Sequence, residues 1–552
     1  MSAEAKLNIV PDIGSGDVSG RRPSEAIAER KSKELVIAFA GPIGSGIQAV
    51  KERITEILSA SSYQVHHIKI SDYLKECISK KLISVTGEPA DTGAERYIQM
   101  QDAGNALRVR QADILAEYAI LRVAEIRTEK IGTEADDVTD FLPERTAYLI
   151  DQLKHPEEIA LLRAVYGNLF YLFGVLSVTP RRESRLRSEG VEPNKISELI
   201  ERDRKQPEKN GQQLDKALQL ADFFIRNDHS NAEALGSQIK RFVDLMHGAN
   251  GLSPTKEEYG MYVAYAAGLR SACLSRQVGA SIMNVDGTII STGRNDVPRP
   301  GGGLYGPESG MDDARCVKLE AGVCHNDVYK RNLLKDIKAV LSEQLGQHFS
   351  ELSEKEKRCV QTLSGINVEE LLNKIAEKAY EETRLSGLIE FSRSIHAEMD
   401  AIVSLALKGT GSTKDGTLFT YTFPCHNCAR HIVAAGIKTV YYLEPYEKSL
   451  ALDLHSDAIA IDGIDAGGEA GATGDRKVRF LHFEGVAPRQ YLNMFTPSGE
   501  RKDKAGKAIM IKIREVEKKV PEYLDDYRQY ELKVVEHLKK VIEGLEGGGL
   551  SS

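Results

Sequence analysis

The chain has 552 residues, which is long for one core and suggests roughly two to four domains. Hydrophobic content of 41% and charged content of 28% are ordinary for a globular protein, and no apolar run is long enough to suggest a membrane span. A formal net charge of −8 argues against a broad electrostatic footprint for nucleic acid. The seven cysteines are an odd number, and only Cys425 and Cys428 have tight metal-like spacing. That pattern suits a reducing compartment with a metal site better than a disulfide framework.

Residues 1–32 are polar, punctuated by Gly, Ser and Pro, and without periodicity, so a mobile tail is expected. The tail lacks an apolar core of the signal-peptide kind, and a cytoplasmic location is the expectation. A buried parallel strand is predicted over Glu34–Ala40. It runs into Gly41-Pro42-Ile43-Gly44-Ser45-Gly46-Ile47-Gln48, then into a helix through Leu58. Strand, glycine loop and helix form the context of a phosphate-binding P-loop. Ile47 stands where that motif needs lysine, and Gln48 where it needs the Ser/Thr that holds magnesium. The loop reads either as a degenerate nucleotide site or as a plain tight turn, and phosphoryl transfer is disfavoured.

Further strands are predicted at 63–70, 147–151, 169–176 and 221–227. The third strand ends in Asp151, an acid that a nucleotide site would want. Arg181, Arg182, Arg185, Arg187, Arg202 and Arg204 read either as a phosphate-neutralising lid or as a solvated helix face. Strands alternating with helices point to a doubly wound α/β domain over residues 33–247. The Gly/Asn/Ser/Pro cluster at 248–254 marks a boundary. A second domain is expected over 255–495, opening with a helix from Thr255. A hairpin turned by Asp286-Gly287 follows, and residues 300–390 form an insertion with charged helices. Residues 496–552 are read as a helical extension broken at Pro521, ending in a frayed tail.

The chemistry concentrates in Ser394-Ile395-His396-Ala397-Glu398 and Pro424-Cys425-His426-Asn427-Cys428. A helix is predicted over 394–407, a strand over 418–423 and a second helix over 425–435. Both cysteines then lie at a helix N-terminus, which favours thiolates. His396, Cys425 and Cys428 supply three ligands for tetrahedral zinc and leave the fourth position for water. Glu398 is not a ligand and is free to move a proton. This H-x-E…P-C-x-x-C arrangement is the signature of zinc nucleobase deaminases. There the activated water attacks C4 of cytosine, and the glutamate carries its proton to N3 and to the departing ammonia. His426 and His431 are not expected as ligands. A second zinc at Cys316, Cys324 and His325 lacks tight C-x-x-C spacing, and ordinary loop thiols are the expected reading.

The C-terminal half resembles the deoxycytidylate deaminase branch of the cytidine deaminase superfamily. The carriers are Ser275 to Ile282, Asp286-Gly287, Arg294-Asn295, and the His396/Glu398 and Cys425/Cys428 segments. That resemblance implies substrate binding by Asn295. Over roughly residues 34–545 the chain is similar to bacterial anti-phage dCTP deaminases, which fuse a P-loop kinase-like domain to a zinc deaminase. Glu444 to Ala451, Leu454 to Ile459, Gly485 to Tyr491, Asp151 to Pro156 and Ala94 to Arg108 carry it. It implies a hydrolase turning dCTP into dUTP, with dCMP to dUMP as a further reaction. It also implies dCTP depletion as antiviral defence, restraint by a small RNA, and a homo-oligomer. Lys448, Arg489 and the 181–204 arginines are candidate cations for the phosphates. Two other readings stay open: a dCMP deaminase of ordinary nucleotide metabolism, and a nucleic-acid cytidine deaminase. The second would want a basic channel with interleaved aromatics, against an acidic chain with 6% aromatic residues.

Overall fold

The computed structural model describes residues 27–547 except 86–89, 91, 132–143, 205–210, 229–231, 320–321, 352–367, 445–448, 462–476 and 498. Most of the expected N-terminal tail, and Lys448, lie outside these residues. The chain divides into two compact units, residues 1–253 with 492–552, and residues 254–491.

In the first unit, β1 (Leu35–Ala40) is buried along its whole length. The glycine loop leads from it into α1 (Ile47–Ala60). Then come β2 (Gln64–Ile68), α2 (Ile70–Ser79), α3 (Gly93–Arg110) and α4 (Ile114–Ile131). They are followed by β3 (Thr146–Ile150), α5 (Pro156–Tyr166) and β4 (Phe170–Leu176). Helices α6 (Thr179–Ser188) and α7 (Pro193–Arg204), strand β5 (Phe223–Arg226) and helix α8 (Ala232–Met246) complete this part of the chain. The strands pair in parallel in the order β2-β3-β1-β4-β5. Parallel strands covered on both faces need continuous apolar runs, and LVIAFA, TAYLI and FYLFGVL supply them. The chain leaves β3, on one side of β1, and re-enters at β4 on the other side. That reversal opens a crevice at the carboxyl end of β1, where the glycine loop lies.

The second unit opens with α9 (Lys256–Gly268), capped by a reciprocal pair. Thr255 Oγ1 accepts from the Glu258 amide at 3.1 Å, and Glu258 Oε2 accepts from the Thr255 amide at 2.8 Å. Strands β6 (Gly279–Met283) and β7 (Ile289–Arg294) form the expected hairpin. Helices α10 (His325–Glu351) and α11 (Val368–Glu381) of the insertion pack on each other. Then follow α12 (Ala397–Lys408), β8 (Thr417–Thr422), α13 (His426–Ala434) and β9 (Thr439–Glu444). β10 (Ile459–Ile461) and β11 (Val478–His482) complete the sheet, whose order is β10-β11-β9-β8-β6-β7. The side-chain period of two sorts β6 between the layers. Ala280 and Ile282 join the core that holds Ala397 and Ala401 of α12. Ser281 points the other way and donates to the Gly260 carbonyl of α9 at 2.8 Å.

The last helix, α14 (Leu524–Gly547), belongs to the first unit and packs on α4. Its Glu531 and the Glu34 carboxylate hold opposite sides of the Arg127 guanidinium, all three side chains being at most 3% exposed. Tyr148 and Tyr527 hydroxyls donate to Glu34 at 2.8 and 2.6 Å, and Tyr166 donates to Glu531 at 2.8 Å. Ser32, inside the stretch expected to be a tail, is buried and hydrogen-bonded to Tyr527.

Candidate active site

Helix α12 starts at Ala397, not at Ser394. Ile395 donates to the Asp296 carbonyl at 3.0 Å, and this bridge holds Ile395 outside the helix. His396 is therefore the N-cap, outside the first turn where the sequence suggested it, and Glu398 is the second helical residue. Helix α13 likewise starts at His426 with Cys425 as its N-cap, so Pro424 precedes the cap. The Cys425 carbonyl accepts the first helical bond, from the Ala429 amide at 2.9 Å.

Two helix N-termini thus converge. The Cys425 and Cys428 sulfurs lie 3.3 and 3.4 Å from His396 Nδ1. All three ligand atoms are within 4.8 Å of one another, the one such His/Cys/Asp/Glu group among the described residues. Tetrahedral zinc with ordinary bond lengths places sulfur and nitrogen about 3.6 Å apart. The donor set and its spacing fit that ion. The hydrogen bond from Cys428 draws the Cys425 thiol down, and the same bond pushes Cys428 up. The hydrogen bond to Cys425 raises His396. A divalent cation among these groups would favour both thiolates and neutral imidazole.

Glu398 is 4% exposed, and burial foremost, with the Cys425 charge second, raises its carboxyl above the usual range. Its oxygens lie 3.4 Å from Cys428 Sγ and 3.5 Å from Thr420 Oγ1. A cavity of about 150 Å³ opens over His396, Glu398 and Cys425. Asn295 is on its wall, but its amide already serves the backbone. Oδ1 accepts from the Val278 amide and Nδ2 donates to the Arg276 carbonyl, both at 2.7 Å. Gly293 allows this wall to approach α12, since a Cβ there would sit 2.1 Å from the Ala397 carbonyl oxygen. Asp400, on α12, accepts from the Arg294 amide at 2.9 Å and locks the same junction.

Sequence reasoning gave no site role to Asn326, Arg276, Ser394 or Thr422, which also line the cavity. Asn326 is 9% exposed, and its Oδ1 has no hydrogen-bond partner among the described residues. It comes from the insertion, where no spacing rule pointed to it. Arg276 sits within the Ser275–Ile282 stretch; its guanidinium is half-exposed and lies 3.6 Å from Glu444. His431 bonds the Asn427 carbonyl at 2.6 Å. Cys316 lies 3.7 Å from His325, and Cys324 meets Ser275 instead.

In the first unit the predicted loop residues Gly41 to Gln48 do form a strand-to-helix turn. Gly46, at φ 76°, is the α1 N-cap and provides no side-chain cap. The arginine cluster divides: Arg181 and Arg187 are exposed, as a solvated helix face would have them, whereas Arg182 and Arg185 fold onto the glycine loop. Arg182 donates to the Ile43 carbonyl at 2.9 Å and Arg185 to the Gly44 carbonyl at 3.0 Å. Asn227 donates to the Ser45 and Gly46 carbonyls. Asp151 is held by buried Lys51, one helical turn past Ile47, at 2.8 Å from both oxygens.

Residues 254–444 match the family model of the cytidine and deoxycytidylate deaminase zinc-binding region. The ComE operon protein 2 of Bacillus subtilis (strain 168) is 43% identical over 56 residues, 10% of this chain and 29% of that protein. The deoxycytidylate deaminase of Enterobacteria phage T2 is 26% identical over 189 residues, 34% of this chain and 80% of that one. The apo crystal structure of dCMP deaminase from cyanophage S-TIM5 aligns at 18% identity and TM-score 0.20, covering 42% of this chain and all of that one. The chain thus spans under a third of the Bacillus protein and four-fifths of the T2 protein. Residues 254–444 thus match a deaminase zinc-binding region, and the His396/Cys425/Cys428 group within them can hold a zinc ion. No described helix is long and apolar enough to cross a membrane.

Proposed function

We propose that the second unit hydrolyses the 4-amino group of a free deoxycytidine nucleotide, consuming water and releasing ammonia and the deoxyuridine nucleotide. The observation that carries this is the burial of Glu398 beside a His/Cys/Cys ligand set in one small cavity. A structural zinc needs no buried acid at its side. Zinc, when bound by His396, Cys425 and Cys428, supplies the Lewis acidity that makes water nucleophilic near neutral pH. Glu398 would take one proton of the attacking water at its carboxylate and deliver it to the ring nitrogen N3; it would then take the second proton from the hydroxyl added at C4, as the C4 carbonyl forms, and pass it to the amine as the C4–N4 bond breaks. Its raised pKa suits a group that must accept and donate in one cycle. Thr420 restrains one carboxylate oxygen, and Asn295 holds the 276–278 backbone in the shape that receives the sugar.

dCTP is the proposed substrate, with dCMP as the second. Arg276, at the cavity edge, provides a cation for the phosphates. The preference for the triphosphate rests on the resemblance to anti-phage dCTP deaminases. So do the P-loop kinase-like reading of the first unit, restraint by a small RNA, assembly into oligomers and a cytoplasmic role in starving phage replication of dCTP. The strand order β2-β3-β1-β4-β5 with a glycine loop after the central strand supports the kinase-like part. The phage T2 relative, a deoxycytidylate deaminase, supports the alternative that dCMP is preferred.

The test is ammonia release from dCTP and dCMP by the zinc-loaded chain. Activity on one or both is expected, abolished in Glu398→Ala with zinc retained. Turnover only on single-stranded DNA or RNA would sink the proposal. Comparing kcat/KM for dCTP and dCMP decides the phosphate count.

A further inference from the structure

The first unit contains a cavity of about 300 Å³ between the glycine loop and helix α3. Three side chains on its walls are more than nine-tenths buried and each leaves a polar atom without a hydrogen-bond partner among the described residues. They are Ser45 Oγ on the loop, Gln101 Oε1 and Arg108 Nη1 on α3. The other Arg108 nitrogens are accounted for: Nε and Nη2 both lie 2.8 Å from Glu158 Oε1. Burying polar atoms unpaired is costly, and natural proteins rarely do so three times around one cavity without a ligand to satisfy them. The Ala49 amide of α1 bonds the Gly46 carbonyl at 3.2 Å, whereas the amides of Ile47 and Gln48 lack intrahelical acceptors by geometry, and no side chain caps the helix.

The geometry points to a second small-molecule site, for a nucleoside monophosphate, bound rather than turned over. The phosphate end belongs at the loop, where Ser45 and the α1 amides supply donors. Room for one phosphate, not three, follows from what the loop has already given up. Asp203 Oδ2 accepts from the Ile43 amide at 2.7 Å. Lys154, the cation beside the loop, is spent on Asp203 Oδ1 at 2.8 Å and the Gly41 carbonyl at 2.9 Å. With Ile47 in the lysine position, Lys154 is the one lysine among the described residues lining this cavity, and the other cations there, Arg96 and Arg108, stand on α3 rather than on the loop. The opposite wall suits the base. Gln101 Oε1 accepts, Arg108 Nη1 donates, and the Watson–Crick edge of every nucleobase sets a donor beside an acceptor. Tyr97 and Met100 add apolar surface on the same wall. The site stands on this cavity alone and does not depend on the deaminase reading.

The test is equilibrium dialysis of the full-length zinc-loaded chain against dTMP, dGMP and AMP, with inorganic phosphate as a probe lacking the base. At least one nucleotide is expected to bind at one equivalent, more than tenfold tighter than phosphate. Gln101→Leu should weaken that binding at least tenfold, Ser45→Ala should weaken it less, and Glu398→Gln in the other unit should leave it unchanged. The unliganded Gln101→Leu protein should melt at the same or a higher temperature, because the substitution removes a buried unpaired acceptor; a merely structural glutamine would lower it. No nucleotide binding at millimolar concentration overturns the proposal. So does binding that survives both Gln101→Leu and Ser45→Ala, or phosphate that binds as well as the nucleotides.

Discussion

The two units each place a loop after a central strand at the N-terminus of a helix, and they use that position in opposite ways. In the second unit the α13 N-terminus presents two thiols to His396, the N-cap of α12. The protonation of the two thiols there is pulled apart by their neighbours. In the first unit the α1 N-terminus is bare, and its loop is braced by Arg182, Arg185, Asn227 and Asp203. The positive end of a helix is common to both. Reactivity comes from the two or three side chains placed on it. A strand-loop-helix turn that lacks them is a binding shape without chemistry.

The sharpest way to break this contrast is Glu398→Ala. Loss of a positioned acid–base group costs about 10²–10⁴-fold in kcat. Zinc content by atomic absorption should stay at the wild-type level; activity that survives would remove Glu398 from the proposed mechanism. Next in size is Arg127→Met, which strands the buried Glu34 and Glu531 carboxylates. About 3–5 kcal/mol of first-unit stability should go, read as a lower urea midpoint and earlier proteolytic release of α14. Zinc binding should be untouched, because Arg127 lies in the other unit. An unchanged midpoint would refute the buried-triad reading.

Gly293→Ala should cost about 1–3 kcal/mol by forcing β7 away from α12. Because α12 carries His396 and Glu398, zinc affinity should fall along with the melting temperature of the second unit. A drop in stability with unaltered zinc affinity would show that the junction does not set the site. The smallest effect concerns pH. Burial pushes His247 down to about 4 from its ordinary 6.5; Tyr63 and the Val243 carbonyl bond its two ring nitrogens. The unfolded chain then binds the extra proton between these values, so this contribution is present above pH 6.5 and is lost as pH falls toward 4. Between pH 7 and 5.5 it amounts to about 1 kcal/mol. Urea titrations of wild type and His247→Asn should show the variant with the flatter pH dependence; equal slopes would dismiss it.

Much of the architecture was legible because it is local. All five first-unit strands, the Asp-Gly hairpin and the helices around both chemical motifs lie within a few residues of where apolar runs and turn residues put them. The offsets have tertiary causes: the Ile395–Asp296 bridge moved the start of α12 past His396. Arg182 and Arg185 could not be told from their exposed neighbours Arg181 and Arg187, because charge clusters look alike in sequence whether solvated or folded onto carbonyl groups. The cavity arginines are Arg96 and Arg108, within a stretch noted only for its resemblance.

By itself the sequence picked out the candidate zinc ligands and the acid beside them. His396, Glu398, Cys425 and Cys428 sit at spacings that a helix N-terminus turns into a site, and the residue types dictate the chemistry. Only the tertiary structure decided what surrounds it. Asn326 reaches the zinc-site cavity from an insertion, Asp203 meets the Ile43 amide across 160 positions, and Glu531 closes on Arg127 across 404. Such contacts leave no periodic trace in the chain. They form because distant segments are packed against the same core, and a buried polar group there must find its partner wherever the fold brings one.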